Sequence, residues 1–124
     1  MSPIHEALRI LIVEDEAIIA MNLEDMVIQL GYYVIAIATR IDKALQLADK
    51  EEFNLALLDI NLAGVTTFPV AAVLRKRTIP FIFTSGYGQL GLKDDYCGAP
   101  LLTKPFNSRE LERVISQVLP RDIT

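Results

Sequence analysis

Five short apolar runs without polar alternation are the feature that most constrains the fold of this chain. They span residues 9–13, 34–38, 55–58, 81–83 and 101–103. Between most of them, apolar residues recur at the three- and four-residue spacing of amphipathic helices. Strands that are apolar on both faces are typical of parallel sheets, and right-handed crossovers place helices on both sides of such a sheet. The pattern predicts an α/β fold, a (βα)5 three-layer sandwich.

Several helix ends carry their own signals. Gly31 follows the first helical pattern, at the position where a helix C-terminus favours glycine. Thr39 is expected to cap the second helix, and Asn107 the last one, with Glu110 as its capping-box partner. The segment 86–100 holds four glycines and only a weak helical pattern. We therefore expect a loop with at most a short helix there, so that the fourth helix is reduced.

Size and charge exclude several classes of protein. With 124 residues, the chain predicts one domain, residues 1–124, with no output domain after it. A formal net charge of −4 argues against nucleic-acid binding, which usually requires a basic face. No apolar run approaches the roughly 20 residues of a membrane span, and the first residues do not resemble a secretory signal. With Cys97 as the single cysteine, a cytoplasmic location is the simplest expectation.

Polar residues collect where the predicted strands end. In an open parallel sheet, ligands bind outside the carboxyl ends of the strands. The residues found there are Glu14 and Asp15 after the first strand, Asp59 after the third, Thr84 and Ser85 after the fourth, and Lys104 after the fifth. Carboxylates without histidine or cysteine form a set of hard oxygen ligands, which suits Mg²⁺.

Asp59 is the expected centre of this set. It ends the most apolar strand, and a carboxylate held ionised beside a cation can act as a nucleophile towards a phosphoryl group. Mg²⁺ and Lys104 would each neutralise charge on the phosphoryl oxygens. A hydroxyl of the fourth strand, from Thr84 or Ser85, would donate a hydrogen bond to another phosphoryl oxygen. Together these groups predict a site that forms and holds an aspartyl phosphate.

Three motifs carry a resemblance to a known family. They are Val-Glu-Asp-Glu at 13–16, Leu-Asp-Ile-Asn-Leu at 58–62 and Lys-Pro-Phe at 104–106. In this order on a (βα)5 pattern, they resemble the receiver domain of bacterial two-component response regulators over nearly the whole chain. The resemblance implies a flavodoxin-like sheet of order 2-1-3-4-5, a Mg²⁺ ion, and phosphotransfer to Asp59 from a sensor histidine kinase or phosphotransferase.

The resemblance also implies ligands and partners. Asp15 and Asp59 would bind the metal, Glu14 would contribute directly or through water, and Asn61 would contribute its backbone carbonyl. The phosphorylated domain would switch its binding to a downstream signalling protein or pass the phosphoryl group on. We expect a monomer or weak dimer that binds neither nucleic acid nor membrane.

The fourth strand and the residues after it resemble one subgroup of this family. Pro-Phe-Ile-Phe-Thr-Ser-Gly-Tyr-Gly at 80–88 resembles the stand-alone receivers that carry a Phe-Ala-Thr-Gly-Tyr-like motif. This alignment places Ser85 at the switch hydroxyl, and strand alternation then turns Thr84 away. Leu101 stands where the family usually has an aromatic residue, so the signal cannot travel by an aromatic side chain that flips inward behind the switch hydroxyl. We expect phosphorylation to reorder residues 86–100 and to move Tyr87. The family also implies a cis peptide between residues 104 and 105.

Two enzyme-like or cofactor-binding alternatives are weaker. A phosphatase or phosphotransferase with an aspartate nucleophile tends to have a second acid two residues later, where this chain has Asn61. A flavodoxin relative would have a Ser/Thr/Gly-rich phosphate loop after the first strand, where Glu14 and Asp15 would repel the phosphate. We therefore expect a signalling domain and not an enzyme.

Overall fold

The computed structural model describes residues 8–86, 92 and 96–119. Numbered in chain order, the strands and α-helices of these residues are β1 (Arg9–Val13), α1 (Ala17–Gln29), β2 (Tyr33–Ala38), α2 (Ile41–Lys50), β3 (Leu55–Asp59), β4 (Asn61–Leu62), β5 (Val65–Thr66), α3 (Phe68–Arg77), β6 (Phe81–Ser85), β7 (Leu101–Thr103) and α4 (Ser108–Val118).

The five predicted strands form one parallel sheet. Its order is β2-β1-β3-β6-β7. This is the expected order 2-1-3-4-5 when the strands of the large sheet are counted alone, so the predicted flavodoxin-like sheet is confirmed. Every residue of the central strand β3 is buried. The carboxyl end of β3 therefore opens onto the rim between β1 and β6.

Each face of the sheet has its own core. Ile10 and Ile12 of β1 pack on the side of α1 and α4. Leu11 and Val13 pack on the opposite side, against α2 and α3. Alternate residues of one strand thus enter different cores, which is the three-layer arrangement expected from strands that are apolar on both faces. None of the described helices has the length and apolar character that crossing a bilayer requires.

Two predicted helix starts had different outcomes. At α4 the capping box is confirmed: the Asn107 side chain accepts a hydrogen bond from the Glu110 N–H at 2.8 Å, and the Glu110 side chain accepts one from the Asn107 N–H at 3.0 Å. At α2 the predicted Thr39 cap is wrong. The N-cap residue is Arg40, which makes no side-chain cap. The acidic residue in the first turn, Asp42, is the group that favours this helix end.

A hairpin that the sequence analysis did not predict follows Asp59. The strands β4 and β5 pair in antiparallel fashion around a two-residue turn formed by Ala63 and Gly64. Both turn residues have positive φ, 52° and 90°, as the tight turn of a two-residue hairpin requires. The hairpin therefore links the end of β3 directly to the start of α3.

An aromatic cluster closes the core beside β6. Tyr96 is buried, stacks on Phe68 at 4.9 Å between ring centroids, and meets Phe83 edge-on at 5.6 Å. The Arg75 guanidinium lies 4.2 Å from the centroid of the Tyr96 ring. Most of segment 86–100, including Tyr87, lies outside the described residues, so the predictions of a reduced fourth helix and of a moving loop concern residues that the structure does not describe.

Candidate functional site

Three carboxylates meet at the carboxyl end of the sheet. Glu14 and Asp15 follow β1, and Asp59 ends the neighbouring strand β3. One oxygen from each of these carboxylates lies within 4.8 Å of the other two. Glu14 exposes 1% of its surface and Asp59 exposes 7%, so two negative charges are largely removed from water here. Such a group is costly unless cations lie beside it.

Lys104 supplies one cation from the other side of the site. Its Nζ donates to Glu14 Oε1 at 2.9 Å and to Asp59 Oδ2 at 3.2 Å. Its backbone N–H donates to the Ser85 carbonyl at 2.8 Å, which fixes the chain as it leaves β7. The peptide between Lys104 and Pro105 is cis, as the family resemblance implied.

Backbone N–H groups hold the remaining oxygens of the two buried carboxylates. The Asn61 N–H donates to Asp59 Oδ1 at 3.3 Å, and the Glu16 N–H donates to Glu14 Oε2 at 3.1 Å. Each oxygen of Asp59 therefore has its own donor, Lys104 for Oδ2 and Asn61 for Oδ1. The plane of the Asp59 carboxylate is fixed by these two contacts.

The charges in the site perturb one another. Burial, and then repulsion from Glu14, raises the pKa of Asp59 from 3.8 to about 6, although Lys104 opposes the rise. Burial by itself lowers the pKa of Lys104, but its hydrogen bond to Glu14 and its attraction to Asp59 offset this and leave that pKa above 10.5. With all four groups ionised, three carboxylates and one ammonium leave a formal charge of −2. That charge and the oxygen donors fit a divalent cation.

The two hydroxyls of β6 occupy different positions. Thr84 pairs in register with Asp59, and Ser85 pairs with Thr103. Ile82 and Phe83 enter opposite cores, so strand alternation places Thr84 and Ser85 on opposite faces as well. Both residues are buried. The assignment of Ser85 as the switch hydroxyl stays a prediction, and the register makes Thr84 the residue to compare it with.

The structure thus brings together four of the six predicted site residues by their side chains: Glu14, Asp15, Asp59 and Lys104. Asn61 joins the site through its backbone, while its side chain accepts a hydrogen bond from the Gly64 N–H at 2.7 Å in the hairpin. Sequence reasoning missed Thr67, which is fully buried and donates from Oγ1 to the Asp59 carbonyl at 2.7 Å. Its only signal was a threonine directly before the start of a helix.

Comparison with known proteins defines the class. Residues 10–116 match the family model of the response regulator receiver domain. The chain belongs to this family of two-component signalling proteins.

Particular relatives share both sequence and fold. The chain is 37% identical over 117 residues to the phyllosphere-induced regulator PhyR of Methylorubrum extorquens, covering 91% of this chain and 44% of that protein. The solution structure of SdrG from Sphingomonas melonis Fr1 is 33% identical, with a TM-score of 0.81 over 94% of this chain and 97% of that one. The response regulator PhyR from Brucella abortus is 39% identical, with a TM-score of 0.77 over 91% of this chain and 48% of that one. The chain spans about half the length of the curated relatives it matches.

Proposed function

We propose that this chain accepts a phosphoryl group on Asp59 and uses the modified state to change its binding to a protein partner or to pass the group on. The observation that carries the proposal is the Lys104 ammonium, which bridges the carboxylates of Glu14 and Asp59. These groups lie at the carboxyl ends of three different strands, β1, β3 and β7. Lys104 Nζ lies 2.9 Å from Glu14 Oε1 and 3.2 Å from Asp59 Oδ2, and one oxygen from each of the three carboxylates lies within 4.8 Å of the other two.

The chemistry is a single displacement at phosphorus. One oxygen of Asp59 bonds to phosphorus while the bond from phosphorus to the donor breaks. The donor leaves with the electron pair of that bond, and with acetyl phosphate the leaving group is acetate, which needs no proton. Lys104 would pair with one oxygen of the transferred group, and Ser85 is our candidate for a hydrogen bond to another of its oxygens. When bound, Mg²⁺ would neutralise charge on the phosphoryl oxygens.

The residues expected to hold Mg²⁺ are Asp15, Asp59 and the backbone carbonyl of Asn61, with Glu14 direct or through water. The cluster's formal charge of −2 and its hard oxygen donors support this choice of metal. We propose a sensor histidine kinase or a phosphotransferase as the physiological donor, and a downstream signalling protein as the receiver of the signal.

The Asp-nucleophile phosphatase remains the competing function. The residue two positions after the nucleophile supports the signalling role. It is Asn61, whose amide is not an acid that could protonate a leaving group and whose side-chain oxygen accepts a hydrogen bond from the Gly64 N–H.

A mass-spectrometric assay with acetyl phosphate separates the two functions. We expect the intact protein to gain one phosphoryl group in Mg²⁺ and none in EDTA, with slow subsequent loss. Continuous hydrolysis of acetyl phosphate over many turnovers, without accumulation of the modified protein, would instead establish a phosphatase. Absence of both would contradict the proposal.

Metal binding gives a second prediction. Because a divalent cation relieves the repulsion among Glu14, Asp15 and Asp59, the melting temperature should rise with the logarithm of the Mg²⁺ concentration once this concentration exceeds Kd. At about 100 times Kd, the gain in the free energy of unfolding should be about 2.7 kcal/mol. Asp15→Ala should lose most of this gain, whereas Asp49→Ala, which changes an exposed aspartate on α2, should keep it. Equal responses of the two variants to Mg²⁺ would exclude Asp15 as a ligand.

A further inference from the structure

The hydroxyl of Thr67 does not cap the helix that follows it but donates a hydrogen bond to the backbone that precedes it. It is the N-cap residue of α3, and a threonine there normally accepts a hydrogen bond from the first turn of its own helix. The Thr67 side chain makes no such cap. Oγ1 instead lies 2.7 Å from the Asp59 carbonyl oxygen and 3.4 Å from the Ile60 carbonyl oxygen, and the residue is fully buried.

The backbone of Thr67 ties the same two segments together. Its N–H donates to the Ile60 carbonyl at 2.9 Å, and its own carbonyl accepts from the N–H groups of Val70 and Ala71 at 2.9 and 3.1 Å. Thr67 therefore connects the first turn of α3 to the two residues that follow the end of the central strand.

These contacts fix the two peptide units after the nucleophile. In the first unit, Thr67 Oγ1 holds the Asp59 carbonyl, and the Thr84 carbonyl accepts from the Ile60 N–H at 3.0 Å. In the second unit, the Thr67 N–H holds the Ile60 carbonyl, and the opposite end is the Asn61 N–H that donates to Asp59 Oδ1. The orientation of the donor on the reacting carboxylate thus depends on Thr67.

We propose that Thr67 is a positioning residue for phosphoryl transfer. Its hydroxyl fixes the backbone after Asp59, so that the Asn61 N–H keeps its hydrogen bond to Oδ1 and the carboxylate keeps the orientation in which it reacts. The inference rests on the proposed function, since it assumes that Asp59 is the acceptor. Thr67 does not touch the reacting atoms. It acts through the carbonyl of Asp59 and the peptide of Asn61.

The test compares two substitutions that separate hydroxyl from shape. Thr67→Val keeps the volume and removes the hydroxyl, whereas Thr67→Ser keeps the hydroxyl and removes a methyl group. Thr66→Val makes the same chemical change at the exposed preceding residue and serves as the matched control. The rate of phosphorylation by acetyl phosphate in saturating Mg²⁺ is measured for all four proteins well below their melting temperatures, together with hydrogen exchange of the Asn61 amide.

We expect Thr67→Val to be phosphorylated about 10- to 100-fold more slowly, the loss typical of a misplaced reacting group. Thr67→Ser should recover most of the wild-type rate, Thr66→Val should match wild type, and the Asn61 amide should exchange faster only in Thr67→Val. A folded Thr67→Val that is less stable but reacts at the wild-type rate would show that Thr67 has a structural role alone and would overturn the inference.

The failure of each proposal has a distinct signature. If wild type itself takes up no phosphoryl group, the proposed function and this inference fall together. If wild type reacts and Thr67→Val reacts equally well, only the inference falls. Should Thr67→Val not fold, Thr67→Ser and wild type decide: a Thr67→Ser rate reduced tenfold or more, or a wild-type Asn61 amide that exchanges like an exposed peptide, overturns the inference.

Discussion

Asp59→Asn is expected to take up no phosphoryl group from acetyl phosphate in Mg²⁺, a loss of at least about 100-fold in rate. The amide keeps the shape of the carboxylate, although its NH₂ cannot accept one of the two hydrogen bonds that Lys104 and the Asn61 N–H donate to Asp59. Its oxygen is not a nucleophile at neutral pH. The measurement is the mass of the intact protein over time, followed by peptide mapping of the modified residue in wild type.

The matched control is Asp49→Asn, which makes the same change at an exposed residue of α2. It should be phosphorylated at the wild-type rate and on Asp59. Incorporation by Asp59→Asn at the rate of Asp49→Asn would place the acceptor elsewhere and remove the central element of the proposed function.

The second large effect is the pH dependence of stability in metal-free protein. Burial and then Glu14 raise the pKa of Asp59 from 3.8 to about 6, so folding favours the protonated acid. The stabilisation that this proton provides is complete below pH 3.8 and is lost as the pH rises through 6. A shift of roughly two units corresponds to about 3 kcal/mol.

Asp59→Asn isolates this contribution, because the amide cannot titrate. In EDTA, the free energy of unfolding of wild type minus that of Asp59→Asn should fall by about 2.4 kcal/mol between pH 4 and pH 8. Denaturant unfolding at several pH values measures the difference directly. A difference that stays constant over this range would mean that the Asp59 carboxylate is not destabilised by its surroundings.

The strands and the gathered site residues were predictable because two strong signals coincide. Runs such as residues 55–58 have no polar alternation, which restricts them to a covered parallel sheet, and the topology of that sheet brings the ends of its strands to one edge. Glu14, Asp59 and Lys104 were therefore expected to meet before any distance was known. The capping box of α4 was equally visible, because Asn107 and Glu110 satisfy each other within four residues.

The hairpin and the role of Thr67 were not predictable, for a different reason. The turn of the hairpin is Ala-Gly and not the Asn-Gly or Asp-Gly pair that identifies such hairpins, and alanine ordinarily avoids the positive φ that Ala63 adopts. In the sequence, Thr67 has the position of an ordinary N-cap residue. Its hydroxyl donates to the Asp59 carbonyl only because the fold brings that carbonyl beside it, which the sequence does not show. The same limit applies at Thr39, where a suitable capping residue stands one position too early for the helix that forms.

The ring cluster beside β6 gives this protein an optical reporter of its own. The chain has no tryptophan, so its near-ultraviolet circular dichroism arises from four tyrosines and five phenylalanines. Tyr96 and three of those phenylalanines, Phe68, Phe81 and Phe83, contact one another as rings. Near-ultraviolet signals require fixed side-chain packing, whereas far-ultraviolet signals report helices and strands throughout the molecule. Spectra in the two regions therefore distinguish a loss of fixed aromatic packing, to which this cluster contributes four of the nine rings, from unfolding of the whole molecule.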